Sequence, residues 1–362
     1  MEFIMQMRPL FGGEESKAIA DYMNEDGFIT EFKNTELFEK MIGSFTGCKH
    51  CIAVNNGTIA LTVAAMALGL KQGDEVIVPN YTMIATPNSL KLIGVQPVFV
   101  DVEPATLCLD YTGVVNAITD KTKAIILVSA NGRYPETGIK KFEKLCRDKN
   151  LVLIEDAAQA LGSYFPDGRH IGSAGAIGSF SFSAPKIIST GQGGALITND
   201  DELAKKIRLL KDFGRSTGGN DHHDTIGFNF KFTELQAVIG IEQMKKLPSR
   251  IKRKKEIFRL YQKGLSEIKQ VSLFNNDCST TAPWFYDILA EERSELIEYL
   301  KSNNIGTRVM YPPINKQNAY KLDGDHSVSN LVGRKGLWLP SQVQLKDSQV
   351  DFICQKISDF YR

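Results

Sequence analysis

Leu151-Val152-Leu153-Ile154-Glu155-Asp156-Ala157-Ala158-Gln159 is the stretch that decides the fold. Its first four residues are apolar without alternation, which suits a strand buried on both faces of a sheet. Strands of that kind belong to α/β architectures with helices on either side. The run ends on two carboxylates, and ligands of open α/β sheets bind at the carboxyl edge of the strands. A carboxylate there needs a partner that compensates its lost hydration, and a protonated pyridine nitrogen would serve. The plainer reading is an Asp that caps the next helix.

Outward from this strand, residues 75 to 200 alternate short β-branched runs with helix-like stretches, the pattern of a mainly parallel sheet sandwiched by helices. The other expected strands are Glu75–Pro79, Pro97–Val102, Ala124–Ser129, Ala176–Phe182 and Gly194–Thr198. Apolar spacing at three and four residues predicts helices over Glu36–Ile42, Ile139–Cys146, Leu203–Leu210 and Glu234–Met244. Periodicity continues past the Lys/Arg-rich stretch Pro248–Lys255 to Leu265, so that stretch reads as the solvated face of a long helix. A strand near Trp284–Ala290 and helices near Ser294–Lys301 and Ser348–Tyr361 complete a smaller α+β domain. The expected division is a large domain over residues 1–245 and a small one over 246–362.

The chain has 362 residues, and 43 Lys+Arg against 42 Asp+Glu leave no basic field for nucleic acid and no acidic tail. A small molecule is the expected partner. Cys48, Cys51, Cys108, Cys146, Cys278 and Cys354 are too scattered for a disulfide framework, which points to a reducing compartment. Met1 to Pro9 lacks the basic flank and apolar run of a signal peptide. The longest apolar run, Ile59–Leu70, is shorter than the ~20 residues of a membrane span and reads as a core helix. The expected location is the cytoplasm.

Two further constellations carry chemistry. Asn55-Asn56-Gly57-Thr58 follows the strand-like Cys51–Val54 and opens a helix, whose free N–H groups favour a phosphate; it also reads as an ordinary helix cap. Gly178-Ser179-Phe180-Ser181-Phe182-Ser183-Ala184-Pro185-Lys186 takes a lysine out of an apolar strand into a Ser/Gly-rich loop. As a Schiff-base residue Lys186 would hold a carbonyl cofactor and shuttle a proton, with the Ser181 hydroxyl donating to a phosphate. A surface lysine is the alternative.

In order and spacing these motifs resemble the DegT/StrS-like sugar-nucleotide aminotransferases, fold-type I enzymes that use pyridoxal 5′-phosphate (PLP). The likeness runs from Arg8-Pro9-Leu10-Phe11-Gly12-Gly13 to Gly336-Leu337-Trp338-Leu339-Pro340-Ser341 and so covers nearly the whole chain. It implies that Lys186 carries the cofactor and Asp156 binds its pyridine nitrogen, with Gln159 facing the phenolic oxygen. Gly57, Thr58 and Ser181 match the phosphate cradle. Gly227-Phe228-Asn229-Phe230-Lys231-Phe232 is similar to the segment whose asparagine reaches the neighbouring subunit's phosphate, which implies a homodimer completed by Asn229. Trp284-Phe285-Tyr286 resembles the Trp-x-Tyr strand of perosamine-synthase-like members. That likeness implies an amino group moved from glutamate to carbon 4 of a nucleotide-linked 4-keto-6-deoxy sugar, ahead of 3-keto or other keto sugars.

Departures from the family pattern bear on the pocket wall. Pro79-Asn80-Tyr81-Thr82-Met83 places Met83 where most members have an aromatic residue over the ring, and Tyr81 is a second candidate for that role. Ser129-Ala130-Asn131-Gly132-Arg133-Tyr134 replaces a His-containing segment. Arg308-Val309-Met310-Tyr311-Pro312-Pro313 keeps the Tyr-Pro core, with Asn315 where histidine is common; Tyr81, Arg308 and Tyr311 are the expected substrate contacts. A related PLP dehydratase has histidine at the lysine position, so Lys186 opposes that reading. A non-catalytic module would not need Asp156, Gln159, Ser181 and Lys186 together. Cys48-Lys49-His50-Cys51 lacks a second ligand pair, so no metal is expected. Gly172, Gly175 and Gly178 are not spaced as a dinucleotide turn. His222 and His223 read as loop residues near the active-site mouth.

Overall fold

Seven strands build the central sheet of the computed structural model, which describes residues 2–25, 27–216 and 221–362. They are β1 (His50–Val54), β2 (Glu75–Pro79), β3 (Gln96–Val100), β4 (Thr122–Val128), β5 (Val152–Asp156), β6 (Ile177–Ser181) and β7 (Gly194–Thr198), in the order β1-β7-β6-β5-β4-β2-β3. β7 runs antiparallel to both neighbours, while the β6-β5-β4-β2-β3 pairs are parallel. The helices are α1 (Gly13–Asn24), α2 (Lys33–Thr46), α3 (Gly57–Ala67), α4 (Ala85–Lys91), α5 (Tyr111–Ala117), α6 (Ile139–Lys149), α7 (Asp201–Lys211), α8 (Glu234–Leu265), α9 (Arg293–Ser302), α10 (Ser327–Lys335) and α11 (Asp347–Phe360). A second, antiparallel sheet has the order β10-β11-β9-β8, from β8 (Val271–Leu273), β9 (Tyr286–Ala290), β10 (Arg308–Val309) and β11 (Gly336–Leu339).

The missing alternation at Leu151–Ile154 has its explanation in two cores. Ile125, Leu127 and Leu153 pack with α2, α6 and the first half of α8 on one face of the sheet. Ala124, Ile126, Val128 and Ile154 pack with α3 and Ile207 of α7 on the other. Successive residues of a strand point to opposite faces, so a strand covered on both sides is apolar throughout. Each fully buried branched side chain contributes roughly 1.5–3 kcal/mol. Helix α3 is apolar nearly all round because it lies inside this second core.

Residue 245 falls inside α8. Ala237, Ile241, Met244 and Leu247 belong to the large core, while Ile257, Phe258, Tyr261 and Leu265 pack with β9, α9 and α11. On this packing we propose that the two lobes meet within one helix.

One expectation is overturned in α8. Its basic stretch is not merely a solvated face, because Arg250 and Lys254 are 5% and 6% exposed. Leu247, Arg250, Lys254, Ile257, Phe258 and Tyr261 recur at helical spacing, so the two cations fall on the buried stripe. Arg250 donates to the Ile187 and Leu10 carbonyls, each at 2.9 Å, and Lys254 donates to the Trp284 and Ser341 carbonyls.

The glycines at 172, 175 and 178 serve a tight corner. A Cβ on Gly178 would collide with the Gly172 carbonyl oxygen. Buried Glu155 holds that corner by accepting from the N–H groups of Gly172, Ala174 and Gly175 at 2.6 to 2.8 Å. All six cysteines are free; Cys48 and Cys51 are buried, and His50 Nε2 pairs with Asp201. Among the described residues no helix is long and apolar enough to cross a membrane.

Candidate active site

The carboxyl ends of β1, β2, β4, β5 and β6 open onto one edge of the sheet, and antiparallel β7 begins there. A cavity of about 540 Å³ lies at that edge, lined among others by Asn56, Gly57, Thr58, Thr86, Asp156 and Lys186. Met83, Gln159, Ser181, Trp284, Arg308 and Tyr311 complete most of its wall. The second sheet therefore closes a cavity that the first sheet opens.

Asp156 ends β5 and is 6% exposed. Its Oδ2 accepts from Thr86 Oγ1 at 2.8 Å, and its Oδ1 accepts from the Ala158 N–H at 3.2 Å. Thr86 Oγ1 in turn meets Thr82 Oγ1 at 2.9 Å. Burial pushes the Asp156 carboxyl above its ordinary range, against the pull of these donors and of the Lys186 charge. A cationic group in the cavity would reverse that push and keep the carboxylate ionised.

Lys186 lies in the loop after β6 and is half-buried. Its Nζ sits 4.4 Å from the centroid of the Trp284 ring. Burial lowers its amine to about 8; Asp156 opposes the shift and the Arg308 charge adds to it. An amine near 8 is free often enough at neutral pH to attack a carbonyl.

The opposite side of the cavity is a helix start. The Asn56 side chain caps α3 by accepting from the Ile59 N–H at 2.9 Å, leaving the N–H groups of Gly57 and Thr58 at the cavity. Ser181 is pressed against them: a Cβ on Gly57 would lie 2.8 Å from Ser181 Cβ and 3.1 Å from its Oγ. Behind it a Cβ on Gly194 would lie 2.5 Å from the Asn56 carbonyl oxygen. Such a cradle of N–H and O–H donors at a positive helix end fits a phosphate.

Gln159 is oriented from behind, its Oε1 accepting from the Asn131 N–H at 2.6 Å. Tyr311 stands edge-on to Trp338 with ring centroids 4.8 Å apart, and burial pushes its phenol up to about 12. Arg308 lies over the Trp338 ring at 5.5 Å.

Two of the expected site residues are not on this wall. Tyr81 is 4% exposed and packs against Tyr311 behind the cavity, its ring centroid 6.2 Å away; Met83 is at the wall. Asn229 is exposed, in a bridge with Asp212. His223 is exposed as well, bridged to Arg215. Thr86 and Trp284 are part of the wall as well; Trp284 stands in the Trp-x-Tyr strand but not among the expected site residues, and no local pattern distinguishes Thr86. Thr86 becomes visible only through its distance to Asp156, 70 positions away.

The model of the DegT/DnrJ/EryC1/StrS aminotransferase family matches residues 10–358. Over 365 aligned residues the chain is 34% identical to a GDP-perosamine synthase of Escherichia coli O157:H7, covering 100% of this chain and 99% of that protein. A GDP-perosamine synthase of Vibrio cholerae is 31% identical, with 98% of each chain covered. Among solved structures, the aminotransferase TlmJ of Streptoalloteichus hindustanus superposes with a TM-score of 0.91 at 28% identity, covering 98% of this chain and 97% of that one.

Proposed function

Because the chain belongs to the DegT/DnrJ/EryC1/StrS aminotransferase family and is a PLP-dependent sugar aminotransferase, we propose that it moves an amino group from glutamate to carbon 4 of a nucleotide-linked 4-keto-6-deoxy sugar. The product is a 4-amino-4,6-dideoxy sugar nucleotide. Full-length likeness to two GDP-perosamine synthases supports this reading and makes a GDP-linked sugar the first to test.

The observation that carries the reading is the placement of Lys186 and Asp156 on one cavity with a phosphate-type cradle at its other side. Bound there, PLP supplies an electron sink for the carbanion formed next to the reacting nitrogen. In this reading Lys186 anchors the cofactor. When its amine is free, it takes the proton from the donor's α-carbon and later delivers one to the carbon that becomes the amine-bearing centre of the sugar. Asp156 holds the pyridinium proton, with Thr86 fixing the carboxylate. Gln159 presents its amide to the phenolic oxygen. Gly57, Thr58 and Ser181 grip the phosphate, and Met83 packs on the ring with a polarisable thioether. Tyr311 and Arg308 contact the incoming substrates, and Tyr81 supports Tyr311. Two substrates using one cavity in turn require ping-pong kinetics. Asn229, exposed on this chain, reaches the cradle of a second copy in a homodimer.

The purified yellow protein is expected to bleach on adding glutamate. It is then offered GDP-, dTDP- and UDP-linked 3-keto and 4-keto 6-deoxy sugars with glutamate, and products are read by mass and NMR. A 4-amino product from a 4-keto sugar supports the reading; amination of 3-keto sugars alone overturns it. Lys186→Ala is expected to lose activity by at least ~10²-fold, and wild-type turnover by that variant would remove the mechanism.

A further inference from the structure

Asn131 makes four hydrogen bonds that reach both lobes. Its backbone N–H donates to Gln159 Oε1 at 2.6 Å. Its Oδ1 accepts from the Phe285 N–H at 2.6 Å, while its Nδ2 donates to the Phe285 carbonyl at 2.7 Å and to Asp287 Oδ1 at 2.9 Å. The side chain thus pairs with both backbone groups of residue 285, as a neighbouring strand would. Asn131 is 3% exposed and has φ 55°, a left-handed conformation that asparagine tolerates better than most residues. It lies in the segment where this chain departs from its family's His-containing pattern.

The consequence falls on the cavity. A glutamine amide has one acceptor end and one donor end. With Oε1 engaged by the N–H of residue 131, Nε2 is the end left for the cavity; a flip would set two N–H groups against each other. We propose that Asn131 is a positioning residue for the cofactor: its side chain clamps the segment entering β9, and its own N–H thereby fixes the Gln159 amide toward the phenolic oxygen of the ring. Docking of the second sheet and orientation of a cofactor contact are then one event. The inference rests on the reading of Gln159 given above.

Apoenzyme reconstituted with PLP tests it, by visible spectrum and cofactor dissociation constant, for wild type, Gln159→Ala, Asn131→Gly and the double variant. Glycine keeps the left-handed backbone and removes the tether. Asn131→Gly is expected to shift the visible band in the same direction as Gln159→Ala. Both single variants loosen binding, and the double variant loosens it by less than their product, by about twofold or more, as members of one hydrogen-bond network do. An unmoved band for Asn131→Gly, or strictly multiplicative losses, overturns the positioning role while the reading of Gln159 survives. If Gln159→Ala leaves spectrum and affinity at wild-type values, that reading fails and the proposal falls with it. Should the glycine variant not fold, Asn131→Asp keeps the acceptor for Phe285, loses the donor and sets a like charge beside Asp287. The same spectral shift is expected of it, and a wild-type spectrum overturns the proposal.

Discussion

Lys186 and Trp284 are tied to one another: the lysine Nζ lies 4.4 Å from the indole centroid, and Trp284 Nε1 donates to the carbonyl of Pro185 at 2.7 Å. The Trp284 carbonyl accepts from buried Lys254, so one tryptophan meets two lysines, one half-buried and one buried. Burial lowers Lys186 from 10.5 to about 8 and Lys254 to about 7. At pH 7 about one Lys186 amine in ten is then neutral, against roughly one in three thousand for an unshifted lysine.

The same shifts set a stability profile. Each folded-state value lies below the unfolded one, so between the two values the unfolded chain binds more protons and stability rises with pH. For apoenzyme the rise begins near pH 7 through Lys254, is joined near pH 8 by Lys186, and ends near 10.5. Denaturant unfolding of apoenzyme at pH 6 to 10 checks this. Lys254→Met should remove the slope between about pH 7 and 8 and roughly halve it above, whereas Lys186→Met should roughly halve it above about pH 8 and leave the earlier part intact; unchanged slopes would count against burial as the cause.

Thr86→Val keeps the shape of its side chain and removes the donor to Asp156 Oδ2. A buried carboxylate that loses a hydrogen bond costs about 1–3 kcal/mol, so PLP affinity and kcat/KM should fall by roughly fivefold or more. Thr86→Ser restores the hydroxyl and should recover most of the loss. Equal behaviour of the valine and serine variants would assign the effect to packing.

At the cradle, Gly57→Ala places a methyl 2.8 Å from Ser181 Cβ. Overpacking of this kind costs about 1–3 kcal/mol, here by pushing the start of α3 off β6. The variant should bind PLP at least about fivefold more weakly. Gly13→Ala, which meets nothing within 4 Å, is the matched control and should bind as wild type does. Titration of apoenzyme with PLP separates the two.

Arg133 and Asp287 form an ion pair with side chains 3% and 2% exposed, and Arg133 also donates to the Thr106 carbonyl at 3.0 Å. Asp287→Ala leaves a buried guanidinium without its counter-charge, which costs about 3–5 kcal/mol. A clear fall in Tm is expected, checked by thermal unfolding. A Tm unchanged from wild type would mean that water reaches the site on substitution.

The strands of the large sheet were legible, most as short, largely apolar runs, with β6 and its Gly178, Ser179 and Ser181 the exception in composition: Glu75–Pro79 and Gly194–Thr198 coincide with β2 and β7. Helices α1, α4, α5 and α10 and the strands β8, β10 and β11 were not. Apart from α1 they hold few residues each, and their place depends on what covers them. Helix α2 shows the difference at one end. No side chain of its own N-cap residue, Phe32, satisfies its first N–H groups. The Glu234 carboxylate accepts from the N–H groups of Phe32, Asn34 and Thr35 instead, across about 200 positions.

The candidate site divides in the same way. Lys186, Asp156, Gly57 and Ser181 stand in local patterns at strand ends, where strand direction alone sends them to one edge of the sheet. Sequence by itself therefore determined the sheet, the motif-bearing edge and the side chains carried there. Tertiary structure alone decided that Met83 rather than Tyr81 meets the cavity, that Thr86 grips Asp156, and that two cations of α8 point inward. Local order follows from backbone sterics and hydrophobic period, which a short window contains. A hydrogen bond between distant positions depends on where two separately formed elements come to rest, which no window contains.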